Sequence, residues 1–148
     1  MSSNRDLVLA GLKTCLEKIT EANGFNHTVD GVYRKMMGYD DPEVVFPVLM
    51  ILGGREEYED ELGGYTKSRM KFIVRGYAKD PDNPEVELNN TIQDVFKVLD
   101  NSTYNAYHKS YRPISLDTDE GWISKETGGV CIFEFVGEII YRFLRSAP

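Results

Sequence analysis

The side chains of this sequence that could do chemistry are mainly carboxylates. Adjacent acids such as Glu56 and Glu57 could serve proton transfer if a pocket held them. Carboxylates in exposed segments usually only solvate the surface, however. The only two histidines, His27 and His108, lie far apart, and neither stands with a cysteine or a carboxylate at a recognised zinc spacing. The sequence therefore predicts no metal site, and we expect no cofactor.

Motifs for nucleophilic catalysis and for phosphate binding are missing from the sequence. It contains no Gly-x-Ser-x-Gly elbow and no catalytic cysteine signature. The pairs Gly53-Gly54 and Gly63-Gly64 lack the Walker lysine and the dinucleotide spacing. Cys15 and Cys131 lie in apolar segments, which is typical of core packing. We interpret the chain as a protein without a catalytic centre, with a small enzyme using carboxylate chemistry as the alternative from another class.

Two blocks of opposite charge are the strongest remaining signal. The acidic block is Glu56, Glu57, Glu59, Asp60 and Glu61, and the basic block is Lys67, Arg69, Lys71 and Arg75. Each block alone is typical of a solvated surface. Together they predict a contact between copies of the chain, in which the acidic block of one subunit meets the basic block of its neighbour.

The acidic block lies within residues 53–65, a segment with a glycine pair near each end. Like charges repel, and the segment has little apolar area to bury, so we expect it to be an exposed, mobile insert that projects between glycine hinges. A neighbouring subunit that supplies cations would order it. We therefore interpret residues 1–148 as a single domain with a mobile acidic insert.

The elements that must position these charges begin with a helix. Apolar residues at helical spacing in 7–19 predict a first helix that ends at Asn23-Gly24, because glycine accepts the left-handed conformation that closes a helix. Residues 28–36 favour a strand. The apolar run 44–52 predicts a buried strand that begins at or after Pro47, since proline cannot donate a ladder hydrogen bond.

The second half of the chain predicts a long strand, a helix and a hairpin. Residues 66–79 alternate between apolar and basic side chains, the pattern of a half-buried strand. Asn83-Pro84 suits the start of a second helix. Residues 102–113 show no period and are interpreted as a loop. Residues 114–124 and 130–144 predict a C-terminal hairpin.

This order of elements indicates an α+β domain, with a mostly antiparallel sheet and two helices packed on one face. The other face is left to polar side chains or to a partner. The predicted core consists of the two helical stripes and one face of the alternating strand. Its members are Leu12, Leu16, Ile19, Phe72, Val74, Ile92, Val95, Phe96 and Leu99.

Composition excludes several classes of function. A net charge of −7 disfavours nucleic acid as the main partner, because the chain repels a phosphate backbone. No apolar stretch is long enough for a membrane-spanning helix. The N-terminus has no signal-peptide pattern, so we expect synthesis in the cytoplasm without export. Its 148 residues suit one domain with one hydrophobic core.

The layout resembles the tail terminator, or tail completion, proteins of long-tailed bacteriophages. The resemblance covers roughly residues 5–100. It rests on Asn23-Gly24-Phe25 closing the first helix, Val32-Tyr33-Arg34, Phe46-Pro47-Val48 before the strand that reaches Gly53-Gly54-Arg55-Glu56, the alternating strand Met70-Lys71-Phe72-Ile73-Val74-Arg75-Gly76-Tyr77, and the helix with Ile92, Val95 and Leu99.

The resemblance implies a hexameric ring that caps the head-proximal end of the tail tube, ends its polymerisation and offers a surface to the head connector. Its implied partners are other copies of the chain, the tail tube protein and a connector or neck protein, with nucleic acid only passing through the lumen. It implies a place in the virion, after assembly in the host cytoplasm. The alternative is another head-tail joining or neck subunit, which would share the layout and would also form a ring.

Overall fold

A computed structural model describes residues 3–80, 82–100, 112–125 and 129–145. In chain order its elements are α1 (Asn4–Leu16), β1 (Gly31–Tyr33), β2 (Val48–Asp60), β3 (Tyr65–Lys79), α2 (Pro84–Asp100), β4 (Arg112–Lys125) and β5 (Val130–Leu144). The strands form one sheet in the order β1-β2-β3-β5-β4. The predicted α+β class and C-terminal hairpin are confirmed. The predicted loop at 102–113 lies almost entirely outside the described residues.

Helix α1 begins earlier and ends earlier than predicted. The Ser3 hydroxyl accepts a hydrogen bond from the Asp6 amide at 3.1 Å and caps the start. The helix ends at Leu16, and the extended Thr20 then caps a separate 3-10 turn, Glu21–Asn23. Gly24 closes that turn with φ of 88°, so its left-handed conformation was predicted correctly but assigned to the wrong element.

The sheet is mixed because β1 runs parallel to β2, with Gly31 opposite Val48. The order of elements predicts antiparallel neighbouring strands, so this pair differs from the prediction. Residues 34–47 separate the two strands, which is long enough for the crossover that parallel pairing requires. The other pairs, β2–β3, β3–β5 and β5–β4, are antiparallel as predicted.

Strand β3 is the central element and alternates as predicted. Its even-numbered residues from Thr66 to Ala78 are buried, and its basic residues lie on the opposite face. Two glycines on the helix-bearing side make room for aromatic rings across the strands. Gly137 lies opposite Phe72 and Gly76 lies opposite Phe133. A Cβ atom at either glycine would lie 2.2 Å from the facing ring.

The main core lies between this face of the sheet and both helices. Leu16, Phe72 and Val95 are almost fully buried in it. Phe96 is a correction: 38% of it is exposed, and its ring lies against Phe135 at the margin of the core, with centroids 5.2 Å apart. Because the helix turns about 100° per residue, Phe96 lies about 100° around the helix from the buried Val95 and therefore outside the buried stripe.

A smaller second core covers part of the other face of the sheet. Residues 34–47 fold over the end of the sheet at which β2 begins. Met37 packs there against Met50 and Tyr77, and the Tyr77 hydroxyl donates a hydrogen bond to the Met37 carbonyl. Farther along β3 this face carries charged side chains instead.

Residues 53–60 belong to β2 and pair with β3 along their length, apart from one irregularity. The prediction of a loop between glycine hinges is therefore wrong. Repulsion between the acids does not prevent strand formation, because alternation along β2 places their side chains on two faces of the sheet. On each face, cationic or hydroxyl groups contact them. Mobility of this segment in a free subunit stays a prediction.

Candidate interaction surface

The acidic block and the first two residues of the basic block lie on one β-hairpin, which we call the charged arm: residues 54–70, formed by the end of β2, the turn and the start of β3. Lys71 and Arg75 follow the arm along β3. A β-bulge sets its geometry. Gly53 lies opposite Phe72, but Glu56 lies opposite Met70, so two β2 residues face Lys71 alone. The extra residue reverses which face each following side chain of β2 occupies.

On the outer face of the arm, away from the helices, acidic and basic residues are direct neighbours. Glu57 lies opposite Arg69, and Glu59 lies opposite Lys67. These residues line a shallow, open depression of about 140 Å³. The structure therefore brings the two predicted blocks together within one chain, whereas the sequence predicted that they meet between chains.

Most of the predicted basic block is also paired by β5. Arg69 and Lys71 both contact the Glu138 carboxylate, at 2.7 and 3.2 Å, and Arg75 lies 3.6 Å from Glu134. These side chains are partly exposed to solvent, so each pair contributes about 0–1 kcal/mol to stability. Their main effect is to reduce the net positive charge that β3 offers to a neighbouring molecule.

Glu56 differs from the rest of the acidic block because its side chain points to the helix-bearing side and is only 5% exposed. Arg5 of α1 contacts one carboxylate oxygen at 3.1 Å, and its other terminal nitrogen donates to the Gly54 carbonyl at 2.6 Å. The Ser68 and Tyr141 hydroxyls donate to the other carboxylate oxygen. Glu56 thus joins α1, β2, β3 and β5.

The electrostatics of this cluster favour the ionised carboxylate. Burial by itself would raise the pKa of Glu56, but the hydrogen bonds from Ser68, Tyr141, Arg5 and Tyr58 outweigh burial and hold the pKa below its ordinary value. Burial, followed by the hydrogen bond to Glu56, raises the pKa of Tyr141 well above its ordinary value. Both groups keep their charge states across neutral pH, which suits a structural cluster and not proton transfer.

The turn of the arm is fixed by the end of β5. Arg142 contacts both carboxylate oxygens of Glu61, at 2.7 and 3.1 Å. Arg145 donates to the Tyr65 carbonyl at 2.9 Å, and its amide donates to the Gly64 carbonyl at the same distance. Leu62, at the apex of this braced turn, is 98% exposed and contacts almost nothing of its own chain, so it is available to a neighbouring molecule.

Signs of other chemistry are sparse in the described part of the chain. No group of three or more metal-binding side chains occurs within residues 3–80, 82–100, 112–125 and 129–145. His27 lies 3.3 Å from Glu87, and His108 falls outside those ranges. Cys15 and Cys131 are both buried in the core, as predicted. Among the described helices, none is long and apolar enough to cross a membrane.

Sequence reasoning missed the partners of the charge blocks. Arg5, Tyr141 and Glu138 are far from the arm in sequence and reach it only through sheet register and helix packing. One local signal was available. A Gly-Gly pair inside a strand indicates a bulge, and a bulge reverses the alternation of the residues that follow.

Comparison with known proteins gives a match to fold only. No family profile and no curated protein sequence matches the chain. Among solved structures, a chain from a structure titled "Virion of native gene transfer agent (GTA) particle" superposes with a TM-score of 0.63 at 13% sequence identity. The match covers 95% of this chain and 99% of that one. The chain therefore shares, over nearly its whole length, the fold of a component of a virion particle.

Proposed function

We propose that the chain is a structural subunit of a phage-like particle that forms a hexameric ring at the head-proximal end of the tail tube. There it ends tube polymerisation and offers a surface for joining to the head connector. The observation that carries the proposal is the fold shared with a virion component over 95% of this chain and 99% of the other. The likeness of the sequence to tail terminator proteins points in the same direction.

The charged arm is the contact surface that we propose between neighbouring subunits. Glu57, Glu59, Lys67 and Arg69 lie on its outer face, and Asp60 stands at its end with a side chain that is 75% exposed. Lys71 and Arg75 continue the same face of β3. Because acids and bases alternate there, a neighbour with the same pattern in opposite register can pair with it.

Glu56 and Glu61 have a different part in the proposal, since the Glu56 side chain is only 5% exposed and Glu61 binds Arg142 through both carboxylate oxygens. They hold the arm in shape and do not contact the neighbour directly. The proposed partners are other copies of the chain, the tail tube protein and a connector or neck protein. Another head-tail joining subunit is the second candidate, and the same fold likeness supports it.

Oligomeric state and tube length test the proposal together. Six copies of the 16.9 kDa chain give a particle of about 100 kDa, measurable by light scattering and native mass spectrometry. Added to polymerising tail tube protein, the chain should cap tubes at one end and stop their growth, which electron microscopy shows directly. A chain that stays monomeric at high concentration, alone and with tube protein, and leaves tube growth unchanged would contradict the proposal.

A neck subunit predicts a different pattern in the same experiment. It would form a ring but leave tube polymerisation unchanged, because it acts on a tail that is already closed. Reversing Glu57 and Glu59 to Lys should weaken ring formation, and Glu43→Lys, an exposed substitution outside the arm, is the matched control.

A further inference from the structure

The bulge in β2 leaves the arm with two possible registers. In the observed register, Glu59 faces Lys67 and Tyr58 faces Ser68. Without the bulge, the pairing of Gly53 with Phe72 would continue unbroken, and each later residue of β2 would meet the β3 residue one place earlier. Tyr58 would then face Lys67. Since side chains alternate with a period of two, this slip would move Glu57 and Glu59 to the helix-bearing side.

The bulge carries an intrinsic disadvantage that something must offset. It leaves one residue of β2 without a ladder partner, whereas the regular register pairs every residue. The glycines of the turn do not decide between the two, because Gly63 and Gly64 both have φ near +80° and tolerate loops of different length. Arg142 and Arg145 hold the end of the arm in its observed arrangement. Along the strands, the contact that distinguishes the bulged register is the burial of the Glu56 carboxylate among Arg5, Ser68 and Tyr141.

We propose that Glu56 is a positioning residue that selects the bulged register of the arm, acting through Arg5, and so determines which charges face outward. In the regular register Arg55 would take the place opposite Met70, beside the Arg5 guanidinium, and two like charges would meet there. Arg5 therefore favours the bulged register in two ways. It binds Glu56 and the Gly54 carbonyl in the bulged register, and it repels Arg55 in the other.

The assignment of register stands on the contacts alone, but its consequence for subunit contact rests on the proposed function. With Glu56 in place, the outer face alternates Glu57 and Glu59 with Arg69 and Lys67. After a slip the two acids leave that face. A ring held by complementary charges would then lose its pattern although every subunit remained folded.

Two cysteine pairs in the full-length chain report the two registers. The pair Glu59→Cys and Lys67→Cys can close a disulfide only in the bulged register, because these positions then lie directly opposite. The pair Tyr58→Cys and Lys67→Cys can close only in the regular register, because in the bulged one they project from opposite faces. Cys15 does not interfere, since burial raises its pKa to about 11 and keeps it from reacting.

With Glu56 intact, we expect the first pair to oxidise and the second to remain reduced. Glu56→Ala should lower the yield of the first disulfide by at least about tenfold and raise that of the second, as loss of a buried charge-assisted hydrogen bond implies. Glu57→Ala is the matched control, and it should change neither yield because Glu57 lies on the exposed face.

The result that overturns the proposal is an unchanged first disulfide in Glu56→Ala. Loss of both disulfides in a chain with native circular dichroism also overturns it, because the arm has then melted and not slipped. If Glu56→Ala fails to fold, Glu56→Gln decides by the same readout, since it keeps an oxygen acceptor for Ser68 but no charge for Arg5. If Glu56→Ala switches the register but the chain never forms rings, the register proposal stands and only the proposed function is refuted.

Discussion

Reversing the charge of Glu56 should lower the stability of the fold much more than reversing the charge of its neighbour Glu57. The two residues are adjacent in sequence and identical in type, yet their side chains are 5% and 60% exposed. Glu56→Lys removes the acceptor for the Ser68 and Tyr141 hydroxyls and places an ammonium group beside Arg5. Glu57→Lys changes an exposed pair with Arg55 and the exposed contact with Arg69 across the strands.

The magnitudes follow from these contacts. Glu56→Lys leaves the buried Ser68 and Tyr141 hydroxyls without their acceptor, which costs about 1–3 kcal/mol for each. With the added repulsion from Arg5, whose side chain is 34% exposed, the total is about 3–5 kcal/mol. We expect Glu56→Lys to lower the free energy of unfolding by that amount. An exposed pair contributes about 0–1 kcal/mol, so Glu57→Lys should change stability by less than about 1 kcal/mol. Urea unfolding followed by circular dichroism at pH 7 and low protein concentration measures both.

Acid titration gives an independent check on the same carboxylate. The pKa of Glu56 is lowered in the folded chain, so its contribution to stability is present above its ordinary value of 4.5 and is lost as pH falls through the lower, folded value. Glu56→Gln should therefore flatten the dependence of stability on pH in that acidic window. If Glu56→Lys costs less than about 1 kcal/mol and Glu56→Gln keeps the acid dependence of the parent, the buried cluster does not exist as described.

Three other predictions concern the core, the sheet and the arm. Phe72→Ala should destabilise the chain by about 3–5 kcal/mol, whereas Phe96→Ala should cost clearly less because its ring is 38% exposed; thermal or urea unfolding ranks the two. Gly137→Ala should cost about 1–3 kcal/mol, since the added methyl would lie 2.2 Å from the Phe72 ring, and recovery in Gly137→Ala/Phe72→Leu would identify that clash as the cause. Leu62→Ser should weaken ring assembly in light scattering without altering the melting temperature, and a lowered melting temperature would show that Leu62 supports the fold instead.

The periodic parts of the fold could be predicted from sequence because they depend on local pattern. Residues 66–79 alternate for most of their length, with Ile73 and Tyr77 as exceptions, and the structure forms β3 over nearly the same range with the predicted face buried. Pro47 marked the start of β2 correctly, since β2 begins at the next residue. In both cases the information lies in side-chain spacing and backbone chemistry, which act within a few residues.

Register and long-range pairing could not be read in the same way. The acidic composition of residues 53–65 predicts a mobile insert, because composition alone cannot show that Glu56 meets Arg5 and Tyr141, or that Glu61 meets Arg142. Each partner is brought by an element far along the chain. Charge blocks in sequence therefore indicated the right region for a surface but not which charges remain available on it.

The position of β5 between β3 and β4 governs how the chain can fold during its synthesis. Tyr65 of β3 pairs with Leu144, so the central strand receives its second partner only after β5 has left the ribosome. Until then one edge of β3 stays open, and Arg142 and Arg145 cannot yet brace the turn of the arm. The surface proposed for subunit contact therefore forms late in synthesis, after the residues up to Arg145 have been made.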